Sequence, residues 1–214
     1  MEEMAEGEAN DGSGAGDRLV VADHDPGWAA RAAALIDALG SRLGPLATRI
    51  EHIGSTSIPG MAAKDLIDLQ VSTPDLEAVE AAFDPPLREL GFALTPYRRD
   101  HVPAGRPDSQ DLWVKRLWSR SSGHPDGPVN LHVRAVGSAN ERLALLFRDW
   151  FLAHPDAIPA YAGFKQSLAG LVNTAVRAGL DDDAVGAYTD TKDWVVDVVI
   201  AAAEPWAAAA GWHR

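Results

Sequence analysis

The sequence predicts an α+β fold, a small mixed β-sheet flanked by helices and followed by a helical C-terminal half. Three observations predict it. Residues 66–72 and 129–136 alternate apolar and polar side chains with the period of a strand. After Ser138, three successive stretches carry apolar residues at helical spacing. The order is therefore helix, strand cluster with an interleaved helix, then three helices, which differs from the regular alternation of a parallel α/β sheet.

The elements follow in order. Asp25 and Pro26 supply a capping carboxylate and a proline suited to a first helical turn. Trp28, Ala32, Leu35, Leu39 and Leu43 then recur at spacings of four and three, and Gly44 and Pro45 end the helix. Residues 48–53 read as a short strand and 54–60 as a turn rich in Gly, Ser and Pro. In the next strand Ile67, Leu69 and Val71 share one face, with Leu66, Asp68 and Gln70 on the other. Thr73 and Pro74 open a helix through Phe83, interrupted at Pro85 and Pro86 and closed by Gly91.

Residues 113–118 read as a strand and 120–128 as a polar loop. Val129, Leu131, Val133 and Ala135 then alternate with an outward set of Asn130, His132 and Arg134. Ser138, with Glu141 three residues on, forms a capping box for a helix bearing Leu143, Leu146, Phe147 and Trp150, stopped by Pro155. Tyr161, Phe164, Leu168, Leu171 and Val172 mark a further helix. A last helix runs from about Asp183 past Ile200, and 205–214 reads as a flexible tail.

Composition bounds the function. The chain has 214 residues, 19 Lys plus Arg, 31 Asp plus Glu and no cysteine. Without cysteine there is no disulfide framework, thiolate metal site or cysteine nucleophile, and a cytoplasmic location is expected. Residues 1–17 hold six acids and no Lys or Arg, half of the net charge of −12, and read as a disordered tail without the basic start of a signal peptide. The remaining −6 argues against a nucleic-acid partner, which needs a basic surface. No uncharged apolar run approaches the roughly 18 residues of a membrane span, so no membrane partner is expected.

The chemistry concentrates in 51-EHIGSTSIPGMAAKDLIDLQVS-72. Gly54 permits close backbone approach, and Ser55, Thr56 and Ser57 add hydroxyls and N–H groups suited to a phosphate oxygen. Asp68, one pleat from Gln70, is placed to hold a divalent cation against that phosphate. This reading requires the Gly-Ser bend and Asp68 to face one hollow. Lys64 either meets the phosphate or pairs with Asp65 or Asp68. His52 and His132 either join Asp68 around zinc or manganese, supply a base, or are hydrogen-bonded core residues. Arg148 and Asp149 read as an ion pair anchoring helix to sheet. Tyr161 and Lys165, four apart, form a surface pair or, with Lys192, reach a bound anion from the helical half.

His52-Ile53-Gly54-Ser55-Thr56-Ser57-Ile58-Pro59-Gly60, then Ala63-Lys64 and Ile67-Asp68, resembles the signature of the GrpB family. Leu131-His132-Val133, Leu146 to Trp150, His154-Pro155, Tyr161, Lys165, Tyr188-Thr189-Asp190 and Lys192 continue the resemblance in order, over roughly 19–200. It implies one domain over 18–204, built on a small mixed sheet of the nucleotidyltransferase type. It further implies binding of a nucleotide or other phosphorylated small molecule, with nucleotidyl transfer as the associated activity.

In active members of that superfamily, two acids on one strand and often a third on its neighbour hold two Mg²⁺. The first position matches Asp68, which makes Asp68 the metal ligand and, with His132, the catalytic candidate. Gly54, Ser55, Thr56, Lys64, Gln70, Lys165 and Lys192 become the ligand contacts. The second acid position holds Gln70, and the neighbouring strand offers no acid. A non-catalytic accessory module is therefore the alternative, of the kind fused to dephospho-coenzyme A kinase domains. The chain has no P-loop for kinase chemistry, and no G-x-G-x-x-G, H-E-x-x-H or G-x-S-x-G.

Overall fold

The computed structural model describes residues 18–107, 109–180 and 183–213. The acidic stretch 1–17 lies outside the described residues. Five strands form one sheet: β1 (Arg49–Ile53), β2 (Ile67–Thr73), β3 (Ala93–Leu94), β4 (Lys115–Arg120) and β5 (Val129–Ala135). Their spatial order is β1-β2-β5-β4-β3. β2 and β5 run parallel at the centre and every other pairing is antiparallel. With helices α1 (Gly27–Gly40), α2 (Val79–Glu89), α3 (Ala139–Ala153), α4 (Ile158–Arg177) and α5 (Ala184–Ala210), the sheet forms the expected α+β architecture with a helical C-terminal half.

Alternation in β2 and β5 sorts side chains to two faces. Ile67, Leu69 and Val71 join Val129, Leu131 and Val133 in one buried cluster. Trp28, Ala32 and Leu39 of α1 cover it, with Val79, Phe83 and Leu87 of α2. The α1 start is as the sequence implies: Asp25 Oδ1 accepts from the Gly27 N–H at 2.7 Å.

The opposite face carries Asp68, Gln70 and Ser72 of β2 in register with Asn130, His132 and Arg134 of β5. The sequence marks the β5 set as outward, yet Asn130, His132 and Arg134 are all buried. The helical half roofs this face through a second cluster that includes Leu143, Leu146, Phe147, Tyr161, Val199 and Ile200. The central parallel pair is thus enclosed on both sides.

Four differences from the sequence reading have physical causes. α2 begins at Val79 and passes through Pro85 and Pro86. Its stripe Val79-Phe83-Leu87 is fully buried and anchors the helix despite the missing N–H groups. Asp75 accepts from the Glu77 and Ala78 N–H groups, so 74–78 is a turn rather than helix. β4 spans 115–120 rather than 113–118, because Trp113 ends a 3-10 turn at Gln110–Trp113; the short β3 has no sequence signal. Finally, 205–210 is helix rather than tail: Ala203 and Ala207 are buried, and Trp212 Nε1 donates to Asp149 Oδ2 at 2.9 Å.

Candidate ligand-binding site

β1 ends at Ile53, and Gly54 turns the chain with φ +69° and ψ −171°, a region essentially confined to glycine. A Cβ at this position would lie 2.7 Å from Asp68 Oδ2. Glycine is therefore required twice over, by its torsion and by the carboxylate against its backbone. Ser55–Ser57 form a single 3-10 turn, with Ser57 Oγ donating to the Gly54 carbonyl at 2.6 Å. The bend and Asp68 line one cavity of about 230 Å³ between sheet and helical half.

Of the residues singled out from sequence, Gly54, Ser55, Thr56, Lys64, Asp68, His132, Lys165 and Lys192 line this cavity. Gln70 does not. Its Oε1 accepts from Arg134 Nη1 at 2.6 Å and its Nε2 donates to the Glu141 carbonyl at 3.2 Å, beneath α3. It sits on the same face as Asp68, as the pleat requires, but α3 seals it. His52 is also absent from the cavity. It pairs with Leu69 across the strands, which puts it on the opposite face from Asp68. Its Nε2 lies 2.9 Å from Thr56 Oγ1, and burial lowers its pKa to about 4, against the pull of Asp68. Zinc or manganese held jointly by His52, Asp68 and His132 is not supported.

The floor of the cavity is a buried charge network. Asp100 Oδ1 accepts from Lys115 Nζ at 2.8 Å and Arg134 Nη2 at 2.9 Å. Its Oδ2 accepts from Arg134 Nε at 2.7 Å and Asn140 Nδ2 at 2.9 Å. Burial alone would raise the Asp100 pKa, but Arg134 and Lys115 outweigh it and hold the carboxyl well below the usual range. The sequence reading missed Asp100, Lys115 and Asn140. Asp100 lies in Arg98-Arg99-Asp100-His101, which has no strand or helix periodicity.

The network also fixes His132. Arg134 Nη2 lies 3.2 Å from His132 Nδ1, and a guanidinium can only donate, so Nδ1 accepts. Burial and then the Arg134 charge lower the His132 pKa and keep the ring neutral. Its proton therefore sits on Nε2, 3.5 Å from Asp68 Oδ1, an approach too long for a good hydrogen bond. His132 thus faces the cavity as an N–H donor rather than as a base. Asp68 Oδ1 is buried without a hydrogen-bond partner.

From the helical half, Lys165 Nζ donates to Ser55 Oγ at 2.8 Å and lies 4.9 Å from the Tyr161 ring centroid. Lys165 is 2% exposed. Burial, then the neighbouring charge of Lys192, lowers its pKa to about 7 against the attraction of Asp68. Lys64 Nζ lies 5.9 Å from the Tyr188 ring centroid. Asp65 is engaged elsewhere, with Trp28 Nε1 at 2.8 Å and Arg31 Nη1 at 2.5 Å. Arg148 and Asp149 anchor helix to sheet as read: Arg148 reaches Glu51 Oε2 at 2.6 Å, the His52 carbonyl at 2.9 Å and Asp149 Oδ1 at 2.8 Å.

These donors do not fit a magnesium pair. Around Asp68 stand a histidine presenting N–H and the Lys165 and Lys192 amines, none of which is an oxygen ligand for a hard cation. Asp100 is committed to Arg134 and Lys115. Among the described residues no group of three or more His, Asp or Glu is arranged to hold a metal ion.

Fold and cavity together define an α+β protein whose sheet presents a glycine-serine bend and a half-buried acid to a lysine-lined hollow. The chain belongs to the GrpB family: the family model described as GrpB protein matches residues 18–202. It is 34% identical over 206 residues to a dephospho-CoA kinase of Mycolicibacterium paratuberculosis, covering 88% of this chain and 46% of that protein. It therefore spans about half the length of the dephospho-CoA kinases it matches. A UPF0157 protein of Halalkalibacterium halodurans is 31% identical over 151 residues, covering 71% of this chain and 69% of that protein. The crystal structure of conserved protein GrpB from Enterococcus faecalis shares the fold, with TM-score 0.66 and 23% identity over 87% of this chain and 99% of that chain. Among the described residues, no helix is long and apolar enough to cross a membrane.

Proposed function

We propose that this chain binds a phosphorylated small molecule, a nucleotide or a coenzyme A precursor, without relying on two-metal chemistry. The carrying observation is that the Gly54 bend, Lys64, Lys192 and Asp68 line one cavity. The backbone at the bend and the two lysines suit phosphate oxygens. The unpartnered Asp68 Oδ1 and the N–H of His132 suit an accompanying hydroxyl and its neighbouring acceptor. Burial of Gln70 under α3 and the commitment of Asp100 to two cations favour an accessory module over magnesium-dependent nucleotidyl transfer. The dephospho-CoA kinase relatives supply the choice of coenzyme A precursors as one ligand class.

Calorimetric titration with ADP, ATP and 3′-dephospho-coenzyme A, with and without Mg²⁺, tests this. Binding of at least one compound without metal is expected, weakened about tenfold by Lys192→Ala and lost in a folded Asp68→Ala variant. Binding that requires Mg²⁺ would restore the transferase reading. No binding under any condition would end both.

A further inference from the structure

Phosphate binding leaves one arrangement unexplained. Lys165 is a buried amine whose hydrogen-bond partner is a serine hydroxyl, and among the described residues no carboxylate lies within ion-pair distance of it. Lysines held only to bind an anion have no need of such burial, which disfavours the charged form. Ser55, by contrast, is partly exposed and lines the cavity. The two histidines that the sequence offers as a base are placed otherwise: His132 has its Nδ1 lone pair occupied by Arg134, and His52 lies on the opposite sheet face against Thr56.

We infer that Ser55 and Lys165 form a nucleophile–base pair for acyl transfer from a small ester or thioester. The pair has the 2.8 Å contact that such catalysis requires. Leu143, Phe147 and Ile200 line the same cavity and offer apolar surface to an acyl chain. The Ser55 oxygen adds to the carbonyl carbon as its proton passes to neutral Lys165. The carbon–oxygen or carbon–sulfur bond to the leaving group then breaks, and the departing alkoxide or thiolate takes that proton. Water next attacks the acyl-serine ester, giving its proton to Lys165, and Ser55 recovers a proton as it leaves. The products are a carboxylic acid and an alcohol or thiol, with no oxidant or reductant involved.

The charged and titratable groups facing Lys165 are Lys192 from α5, Asp68 from β2, Tyr161 on its own helix and Ser55 itself. A lysine pKa of about 7 puts much of the amine in its basic form at neutral pH. The inference is independent of the phosphate reading, because it concerns which atom is acylated rather than which anion binds.

The test uses the full chain with p-nitrophenyl acetate. Expected is a burst of p-nitrophenolate with the acetyl group mapped to Ser55 by tandem mass spectrometry, and no adduct in Ser55→Ala. The burst rate should rise with pH through a midpoint near 7. It should fall at least about tenfold in Lys165→Arg, which retains charge without a usable base, and likewise in Lys165→Met. Circular dichroism accompanies each variant; if Lys165→Met does not fold, Lys165→Arg and the wild-type pH profile decide. Acetyl on Lys165, no adduct, or an unchanged rate in Lys165→Arg would overturn the assignment. Absence of acylation in the wild-type chain with calorimetric binding intact would overturn it while leaving the phosphate reading in place.

Discussion

The two faces of the sheet are built from the same strands and held by opposite physics. On the α1/α2 face, Leu69, Val71, Leu131 and Val133 are fully buried against aliphatic and aromatic side chains, each worth roughly 1.5–3 kcal/mol of apolar burial. On the other face, one residue along the same strands, Gln70, Arg134 and His132 are just as buried but polar. There the contacts are directional: Asp100 satisfies Arg134 and Lys115, while Ser72 and Arg49 donate to Glu141. The apolar face packs side chain against side chain, whereas the polar face, bound by its hydrogen-bond geometry, borders a cavity. The difference teaches why the chemistry sits where it does: charge satisfaction keeps the floor rigid while the space above it stays open.

Removing the centre of the polar network should break that comparison most sharply. Asp100→Ala strands Arg134 and Lys115 in the interior, a loss expected at about 3–5 kcal/mol, readable by urea unfolding. If the variant is as stable as the parent, the network does not hold this face. On the apolar side, Leu69→Ala should cost about 2–5 kcal/mol through burial and cavity terms. It should leave ligand binding in the hollow within about twofold, since its side chain points away from Asp68; a large binding defect would show that the two faces are coupled.

Lys165 sharpens the comparison by pH. Its folded pKa of about 7 lies below the ordinary 10.5. The unfolded chain therefore binds the extra proton between those values, and stability rises with pH across that window. Below pH 7 both states are protonated and the cost of burying the charge is fully present. From pH 7 to 9 the wild type should gain roughly 2–3 kcal/mol relative to Lys165→Met. Melting curves that run parallel across this range would exclude a neutral buried amine. The smallest effect belongs to Gly54→Ala, at about 1–3 kcal/mol from backbone strain. It should nevertheless remove ligand binding, because the new methyl displaces the Asp68 carboxylate. A variant that binds normally would show that the bend tolerates a side chain.

Much of the site was legible because its residues lie in one short segment. Gly54, Ser55, Thr56, Lys64 and Asp68 span a strand end, a turn and the next strand, so local geometry alone brings them together. Lys165 and Lys192 were marked by resemblance, yet helical spacing could not distinguish a surface lysine from a buried one. His132 lines the cavity, but which ring atom it presents depends on a neighbour: with Arg134 on Nδ1, it faces the hollow as a donor. Gln70 shared the face of Asp68 and still missed the cavity, because α3 covers that end of the strand and the Glu141 carbonyl captures its amide.

By itself, the sequence determined the alternating strands, the amphipathic helices and the glycine bend, since these follow from periodicity and torsion within a few residues. Only the tertiary structure decided that the polar sheet face is roofed, that Asp100 arrives from an unpatterned loop, and that Lys165 meets Ser55 across 110 residues of chain. Desolvation and charge pairing depend on what lies within a few ångströms in space, and no spacing along the chain encodes that distance.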